Sequence, residues 1–340
     1  MTKIFEAGTA DELWRLAAKD LLDMSNVNLQ SSRGGLTREY LHCCLHLENP
    51  QQRWVLSRQP AINPAFAIAE VIWILQGSND ATFINFWNPK LPKFSGNQKY
   101  YYGAYGKRLK SHFGIDQIKL AYETLLHDSE SRQVVLQIWD STKDLPYLNG
   151  KPQNADIPCN IASMLKIRSG KLEWSQIMRS NDLYRGTPYN IIQFTSLQEI
   201  IAGWLHLKLG TFSLFTDSLH IYESDIKEIQ ISDIEPNFNP DSLMLSKSEF
   251  DEIFPMVVKY MEKLRSSNLS QEQFNKYDYI NQLPNSWKNL LYIAAADSAR
   301  RKKWFDEMEE AVSYCKNEVL TLAWQNWLER MNFNEKKDTL

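Results

Sequence analysis

Apolar residues recur along the chain with two different periods, and each period predicts its own kind of element. Helical spacing predicts helices over four segments: residues 10–24, 65–77, 115–128 and 189–209. Alternation and β-branched or aromatic enrichment predict strands over three segments: residues 38–47, 131–140 and 210–222. Residues 161–182 alternate on both sides of Ser169-Gly170-Lys171 and predict a β-hairpin. Since two strands are adjacent while the others alternate with helices, the order predicts an α+β fold with a mixed sheet.

The pattern changes near residue 235, where abundant charge accompanies the helical period. Two such segments follow, and the polar residues 268–285 separate them. We therefore predict a first domain over residues 1–235 and a C-terminal helical extension over residues 236–340.

Composition and charge narrow the class of protein. The 340 residues are 43% hydrophobic, which is enough for a sizeable core. A formal net charge of −3 gives no general case for binding nucleic acid or a membrane surface, although a local basic pocket for a small anion stays open. The four cysteines form no CxxC pair, so we expect no metal site. Because the N-terminus lacks a signal-peptide pattern and no run of about 18 apolar residues occurs, we expect a cytoplasmic protein with reduced thiols.

The stretch DIPCNIA places Cys159 between a proline and an asparagine. Pro158 restricts the backbone before the cysteine, and the predicted hairpin begins just after it. A cysteine attacks as the thiolate, which a nearby guanidinium favours. Two interpretations stay open: Cys159 is a nucleophile, or it is a small buried residue behind a turn.

The segment MRSNDLYRGTPYNI, residues 178–191, is dense in polar groups around Gly186 and Pro188. An arginine beside a serine hydroxyl suits an oxyanion such as a phosphate. An asparagine offers both a donor and an acceptor, so it can read one edge of an amide-like heterocycle. The alternative is a strand end, a polar turn and a helix N-terminus without a ligand.

Three more residues are candidates because of where they stand in predicted elements. His220 and Tyr222 alternate along a strand, so both side chains face one side and can bond one ligand hydroxyl, although a lone strand histidine can also be structural. Glu70 is the one charge in the apolar helix 65–77. Burying a carboxylate is costly, so Glu70 either has a structural partner or has a raised pKa suited to proton transfer.

Six motifs, in this order, resemble the thymidylate synthase family, which includes the pyrimidine nucleotide hydroxymethylases. They are AEVIWILQG with Glu70, YGAYGKR (102–108), SRQVVLQIW with Arg132 and Trp139, PCN (158–160), MRSNDLYRGTPYNI (178–191) and LHIY (219–222). Each is weak alone, but six in this order are specific, and the resemblance covers residues from about 25 to 235. The resemblance implies a catalytic first domain with a thymidylate synthase-like mixed sheet and flanking helices.

The resemblance also implies a covalent mechanism and a set of ligands. Cys159 attacks C6 of a uracil ring, and C5 then takes a one-carbon unit from the co-substrate 5,10-methylenetetrahydrofolate. The implied nucleotide-binding residues contact the phosphate (Arg33, Arg179, Ser180 and, across a homodimer interface, Arg132), the O4/N3 edge of the base (Asn190) and the sugar hydroxyl (His220, Tyr222). The implied folate-binding residues are Asp182 and Trp87. The implied catalytic neighbours of Cys159 are Glu70, which manages protons through water, with Tyr105 and Asn160.

The chain departs from the family pattern at several places. Asn160 stands where histidine usually follows the cysteine, Gln133 where a second partner-subunit arginine is usual, and Met178 where glutamine is usual. The last residues read NEKKDTL and follow the helical extension, whereas the family pattern has a short apolar tail. Three roles are open for the extension: it caps the site, replaces the tail or forms an interface.

These features leave the reaction open between two products and a third alternative. Reductive methylation of dUMP to dTMP is the leading expectation, because Asn190 suits uracil. The alternative is 5-hydroxymethylation of dUMP, dCMP or CMP, since Asn160, Gln133 and the missing tail favour the entry of water. A non-catalytic nucleotide-binding or regulatory homologue is the second alternative.

Overall fold

One mixed β-sheet organises the fold. The computed structural model describes residues 2–23, 28–32, 34–234, 237–274 and 278–337. Within them, eight strands form the sheet and two further strands form a small ribbon. The strands are β1 (Lys3–Ala7), β2 (Asn28–Ser32), β3 (Gly35–Leu47), β4 (Arg58–Gln59), β5 (Val135–Gln137), β6 (Asn160–Arg168), β7 (Lys171–Met178), β8 (Asn181–Asp182), β9 (Lys208–Tyr222) and β10 (Gln230–Ile231).

The strand order of the sheet is β1-β3-β9-β7-β6-β5, with β2 added on β3 and β8 on β9. β1 runs parallel to β3, and both β7 and β8 run parallel to β9. The other neighbours are antiparallel. The predicted α+β fold with a mixed sheet is therefore confirmed.

Helices surround this sheet and continue into the C-terminal part of the chain. They are α1 (Ala10–Leu22), α2 (Pro64–Gln76), α3 (Ala81–Trp87), α4 (Pro92–Ser95), α5 (Tyr105–Lys107), α6 (Gln117–His127), α7 (Ser141–Asp144), α8 (Thr187–Trp204), α9 (Glu223–Ile226), α10 (Lys247–Arg265), α11 (Gln271–Phe274), α12 (Asp278–Asn281), α13 (Asn285–Arg301), α14 (Phe305–Tyr314) and α15 (Glu318–Lys337). A π-helical turn, Arg108–His112, continues α5. No helix in the described part of the chain is long and apolar enough to cross a membrane.

Local sequence signals explain why α2 begins and ends where it does. The Asn63 side chain accepts a hydrogen bond from the Phe66 backbone (3.1 Å), and Pro64 occupies the first turn, where its missing N–H costs nothing. The helix ends at Gly77, whose φ of 71° is the left-handed conformation that glycine adopts easily. These two signals fix the segment that carries Glu70.

The hairpin prediction is confirmed, with β6 and β7 joined at Ser169 and Gly170. The prediction of a strand over residues 131–140 is wrong outside β5. The backbone N–H groups of Ile138 and Trp139 both donate to the Ile161 carbonyl, which ends regular pairing, and the Asp140 side chain then caps α7. The predicted helix 189–209 is also too long, because its last residues turn back to begin β9 at Lys208.

The C-terminal helices share a core with the sheet domain. Trp287 and Leu291 of α13 and Trp324 of α15 belong to the same buried cluster as Ile68 and Ile72 of α2. The predicted helical character of the extension is confirmed over its described residues. Because its apolar side chains are buried against α2, the extension packs directly on the helix that carries Glu70.

Candidate active site

Arg179 ties the loop that carries Cys159 to the following strand. Cys159 is half-buried and directly precedes β6, and its carbonyl accepts a hydrogen bond from the Arg179 backbone (3.0 Å). The Arg179 side chain donates from Nε to the Pro158 carbonyl (3.0 Å) and from Nη2 to the Ile157 carbonyl (3.3 Å). The same Nη2 lies 3.9 Å from the Cys159 sulfur. A guanidinium in this place stabilises the thiolate form of the cysteine.

The implied phosphate-binding residues lie in three different places. Arg179 and Ser180 are half-buried after β7, and the Arg179 guanidinium also lies 5.6 Å from the centroid of the Trp139 ring. Arg132 is exposed on the loop that leads into β5, a strand at one edge of the sheet. Arg33 lies outside the described residues. The structure therefore places Arg179, which Ser180 follows directly, beside Cys159 and leaves Arg132 exposed at the sheet edge.

Asn190 lies in the first turn of α8 and is 8% exposed. Its Nδ2 donates to the Asn181 side-chain oxygen (3.1 Å), so one hydrogen of the amide is committed to the protein. The second Nδ2 hydrogen and the side-chain oxygen are the groups that a base edge needs.

His220 and Tyr222 lie on one face of β9, as predicted. Their rings meet edge to face with 5.4 Å between centroids. The His220 carbonyl accepts from the Leu183 backbone (2.8 Å), which joins this strand to the turn that precedes α8. The pair thus lies next to the segment that supplies Asp182 and Asn190.

Asp182 closes a turn at the end of β8. Its Oδ1 accepts hydrogen bonds from the backbone N–H groups of Tyr184 (2.9 Å) and Arg185 (2.8 Å). Burial raises the pKa of this carboxyl, while the bond from Arg185 works in the opposite direction. Its second oxygen, Oδ2, lies 3.9 Å from Arg185 Nε, and the folate-binding role of Asp182 stays a prediction.

Glu70 projects from α2 with little solvation. Burial raises the pKa of its carboxyl to about 8, and the Gln193 side chain from α8 lowers it slightly. Its Oε2 is buried and has no hydrogen-bond partner among the described residues. Of the two possibilities that the sequence leaves open, structural pairing or a raised pKa, the structure favours the second.

Tyr105 and Asn160 lie near the cysteine and near each other. Tyr105 begins α5, and burial raises the pKa of its hydroxyl, with a further contribution from Cys159. The Asn160 side chain lowers that pKa, which places its amide beside the phenol oxygen. Asn160 is fully buried, and its Oδ1 accepts from Gln176 (2.8 Å).

Trp87 differs from the other candidates because its ring is fully buried at the end of α3. Its carbonyl accepts from Asn63 Nδ2 (3.3 Å) and from Arg301 Nη2 of α13 (2.7 Å). The Arg301 guanidinium also lies 5.3 Å from the centroid of the Phe86 ring. The folate role of Trp87 stays a prediction; in this arrangement its ring borders other side chains rather than solvent.

Several residues near the site escaped the sequence reasoning. Gln193 approaches Glu70, and Asn181 accepts a hydrogen bond from Asn190. Gln176 accepts from Trp174 and donates to Asn160. The signal that could have found them is a polar residue at an inward position of an alternating strand, as Gln176 is in β7. Among the described residues, no group of three or more His, Cys, Asp or Glu side chains is arranged to hold a metal ion.

The chain is similar to proteins named deoxyuridylate hydroxymethyltransferase and to a protein named "Putative thymidylate synthase". It is 34% identical over 204 residues to a deoxyuridylate hydroxymethyltransferase of Bacillus phage SP01, covering 57% of this chain and 52% of the phage protein. It is 29% identical over 182 residues to the protein of the same name from Pseudomonas phage M6, covering 53% and 50%. A protein of Methanothermobacter marburgensis named "Putative thymidylate synthase" is 29% identical over 210 residues, covering 59% and 84%. The chain thus spans about half the length of the two phage relatives.

The sequence model of one protein family, described as thymidylate synthase, matches residues 25–280. The match includes the cysteine loop, the segment 178–191 and β9, and it extends past residue 235 into α10 and α12. Members of this family are enzymes that transfer methyl or hydroxymethyl groups. Because the match covers more than half of the chain, this protein belongs to the thymidylate synthase family.

Proposed function

We propose that this protein transfers a one-carbon unit from 5,10-methylenetetrahydrofolate to C5 of deoxyuridylate, with Cys159 as the nucleophile. The observation that carries the proposal is the contact of Arg179 with both the cysteine loop and the cysteine sulfur, at 3.9 Å. A guanidinium that also binds the phosphate of the substrate couples nucleotide binding to thiolate formation.

The reaction begins when the Cys159 thiolate adds to C6 and electron density moves to C5 and O4. C5 then attacks the methylene carbon of the folate, the first of its two C–N bonds breaks, and a base removes the C5 proton. Elimination of the folate amine leaves an exocyclic methylene on the ring. Glu70, with its pKa near 8, takes up and releases protons at neutral pH through bound water. Release of Cys159 from C6 follows the final step.

The final step decides the product. A hydride from tetrahydrofolate gives a methyl group and dihydrofolate, which is the leading sequence expectation. Addition of water to the methylene gives a hydroxymethyl group and leaves tetrahydrofolate. The second outcome is favoured by the two phage relatives, both named deoxyuridylate hydroxymethyltransferase. Asn190 supports a uracil substrate in either case, since its amide supplies a donor for O4 and an acceptor for N3–H.

The outer face of the sheet supports a homodimer. The strand registers join Ile4, Cys44, Phe215, Ile177 and Ala162 into one apolar row across five strands. In the single chain Ile4 is 64% exposed and Phe215 is 44% exposed. An open apolar row of this kind suits burial against a second copy of the chain. Arg132, exposed at the edge of the sheet, would reach the phosphate bound to the other subunit.

Release of tritium from nucleotides labelled at C5, in the presence of methylenetetrahydrofolate, tests the proposal. We expect release from [5-³H]dUMP by the wild type and none by Cys159→Ala, because the ring cannot be activated without the S–C6 bond. The matched control is Cys315→Ala, a buried cysteine of the extension, which should retain release.

The outcomes of this assay separate the alternatives. Absence of release from dUMP, dCMP, UMP and CMP would reject enzymatic transfer and favour a nucleotide-binding or regulatory protein. Turnover by Cys159→Ala would reject Cys159 as the nucleophile. Where tritium is released, mass spectrometry of the nucleotide product distinguishes a methyl from a hydroxymethyl group.

A further inference from the structure

A run of polar side chains interrupts the apolar inner face of the sheet close to Cys159. The register places Gln176 and its partner Ser163 in one cross-strand row with Phe5, Leu45 and Leu214. Gln176 and Ser163 are both fully buried. Polar groups in such a place are costly unless their hydrogen bonds are satisfied, so their arrangement needs an explanation.

The hydrogen bonds around Gln176 have a fixed direction. The indole Nε1 of Trp174, which can only donate, points at Gln176 Oε1 (3.1 Å), and the Ser163 hydroxyl donates to the same oxygen (2.6 Å). Gln176 must therefore present its Nε2 on the other side, where it donates to Asn160 Oδ1 (2.8 Å). A donor-only group at one end thus determines which way both amides face.

The consequence for Asn160 is that its nitrogen faces away from Gln176. This Nδ2 is buried and has no hydrogen-bond partner among the described residues. It lies beside the hydroxyl of Tyr105, whose pKa it lowers. Asparagine is the departure from the family pattern at this position, and an unrestrained asparagine amide can present either its oxygen or its nitrogen.

We propose that Gln176 is a positioning residue of the active site, which keeps the Asn160 amide nitrogen unpaired next to Cys159, so that it can donate to the Tyr105 oxygen during the reaction. Once the Tyr105 oxygen accepts from Asn160, Tyr105 directs its own hydroxyl hydrogen into the site, toward the substrate or a water. A reversed Asn160 amide accepts that hydrogen instead and withdraws it from the reaction. The inference rests on the proposed function, because it assigns the polarity of the same catalytic site.

The test measures the effect of Gln176→Met on the rate of tritium release in two backgrounds, the wild type and Asn160→His. Methionine keeps the length of the side chain and removes the donor to Asn160. We expect the rate of tritium release from dUMP at saturating substrate to fall about tenfold to a hundredfold, as for a misplaced catalytic group, with the dissociation constant for dUMP changed less than about twofold. In the Asn160→His background, the same change should cost less than about threefold, because an imidazole presents an N–H through its choice of tautomer.

Gln198→Met is the matched control for loss of a buried glutamine. Gln198 is fully buried in α8 and donates to the Leu172 and Thr211 carbonyls, both outside the site. Gln198→Met should lower the thermal midpoint while leaving the rate of release near that of the wild type. Equal losses from Gln176→Met in both backgrounds, or no loss with Asn160 present, would overturn the inference.

A neutron structure of the deuterated protein keeps this test independent of the proposed activity. Deuterium atoms are visible by this method, so the orientation of each amide is observed directly. We expect the deuterated amide nitrogen of Asn160 to face Tyr105 and that of Gln176 to face Asn160. A reversed Asn160 amide overturns the inference even if the enzyme is active. If the wild type releases no tritium, the proposed function is rejected, and the observed amide orientation alone decides whether Gln176 positions Asn160.

Discussion

Glu70 is the residue whose chemistry depends most on where the fold places it. The sequence identifies it as one carboxylate in an apolar helix, which is enough to predict an unusual environment. The sequence does not show that Gln193 of α8 approaches it, because that contact depends on the crossing of two helices. The same holds for Gln176 and Asn160, whose bond depends on strand register. Cys159 and Arg179 are candidates from the sequence, because six motifs occur in one order, each of them weak alone.

The raised pKa of Glu70 predicts how stability changes with pH. The folded protein keeps the Glu70 proton up to a pKa of about 8, whereas the unfolded chain loses it near 4.5. Between these values the folded state holds more protons, so this group makes the free energy of unfolding fall as pH rises, and its effect levels off above pH 8. Glu70→Gln removes this titration.

Urea unfolding at pH 5 and pH 8.5 checks this prediction. We expect the loss of stability between the two pH values to be smaller in Glu70→Gln than in the wild type by about 1–3 kcal/mol. Glu130→Gln, which changes an exposed carboxylate, should behave as the wild type. An unchanged pH dependence in Glu70→Gln would show that this carboxyl is already ionised at neutral pH. Tritium release by Glu70→Gln should also fall, since an amide cannot transfer the proton.

At the scale of elements, the position of Tyr105 depends on a close approach of two helices. A Cβ on Gly106 of α5 would lie 2.6 Å from the Ile74 carbonyl oxygen and 2.7 Å from Ile74 Cα in α2. Backbone atoms cannot move aside as a flexible side chain can. The sequence motif YGAYGKR marks the glycine, but only the structure shows that it lets α5 lie directly on α2 and so carries Tyr105 toward Cys159.

Gly106→Ala is therefore expected to separate α5 from α2. We predict a loss of about 1–3 kcal/mol in the free energy of unfolding, as for overpacking elsewhere, and a lower rate of tritium release because Tyr105 moves. Gly8→Ala is the control, since a Cβ there meets its nearest atom, an oxygen of Glu12, at an ordinary 3.7 Å. Chemical unfolding and the release assay together check the prediction. Equal behaviour of the two variants would mean that α5 has room to shift without cost.

Element boundaries show which local signals are sufficient. The caps of α2 and the turn of the β6–β7 hairpin are encoded within a few residues, and both elements can be predicted. The segment 131–140 has strand-like composition, yet only β5 pairs regularly, because Asp140 starts a new helix after it. The parallel strand β1 escapes prediction, since its pairing with β3 joins residues far apart in the sequence.

At the scale of the whole molecule, the extension and the open sheet face lie on different sides of the sheet domain. α13 and α15 bury their apolar side chains against α2, and Arg301 and Arg330 donate to the carbonyls of Trp87 and Ala61. In the apolar row on the outer face, Ile4 and Phe215 remain exposed in the single chain. These contacts place the extension on α2 and at the end of α3, and its three possible roles stay predictions.

Subunit complementation tests whether Arg132 acts across a dimer through that open face. Cys159→Ala and Arg132→Glu should each release little tritium alone, because the first lacks the nucleophile and the second repels the phosphate. In a mixed dimer, one of the two sites combines an intact Cys159 with Arg132 from the other subunit. Random reassociation makes half of the dimers mixed, so we expect about a quarter of the wild-type rate of tritium release. Mixing Cys159→Ala with Cys159→Ser is the control and should restore nothing. If the first mixture gives only the sum of its parts, Arg132 acts within its own subunit or not at all.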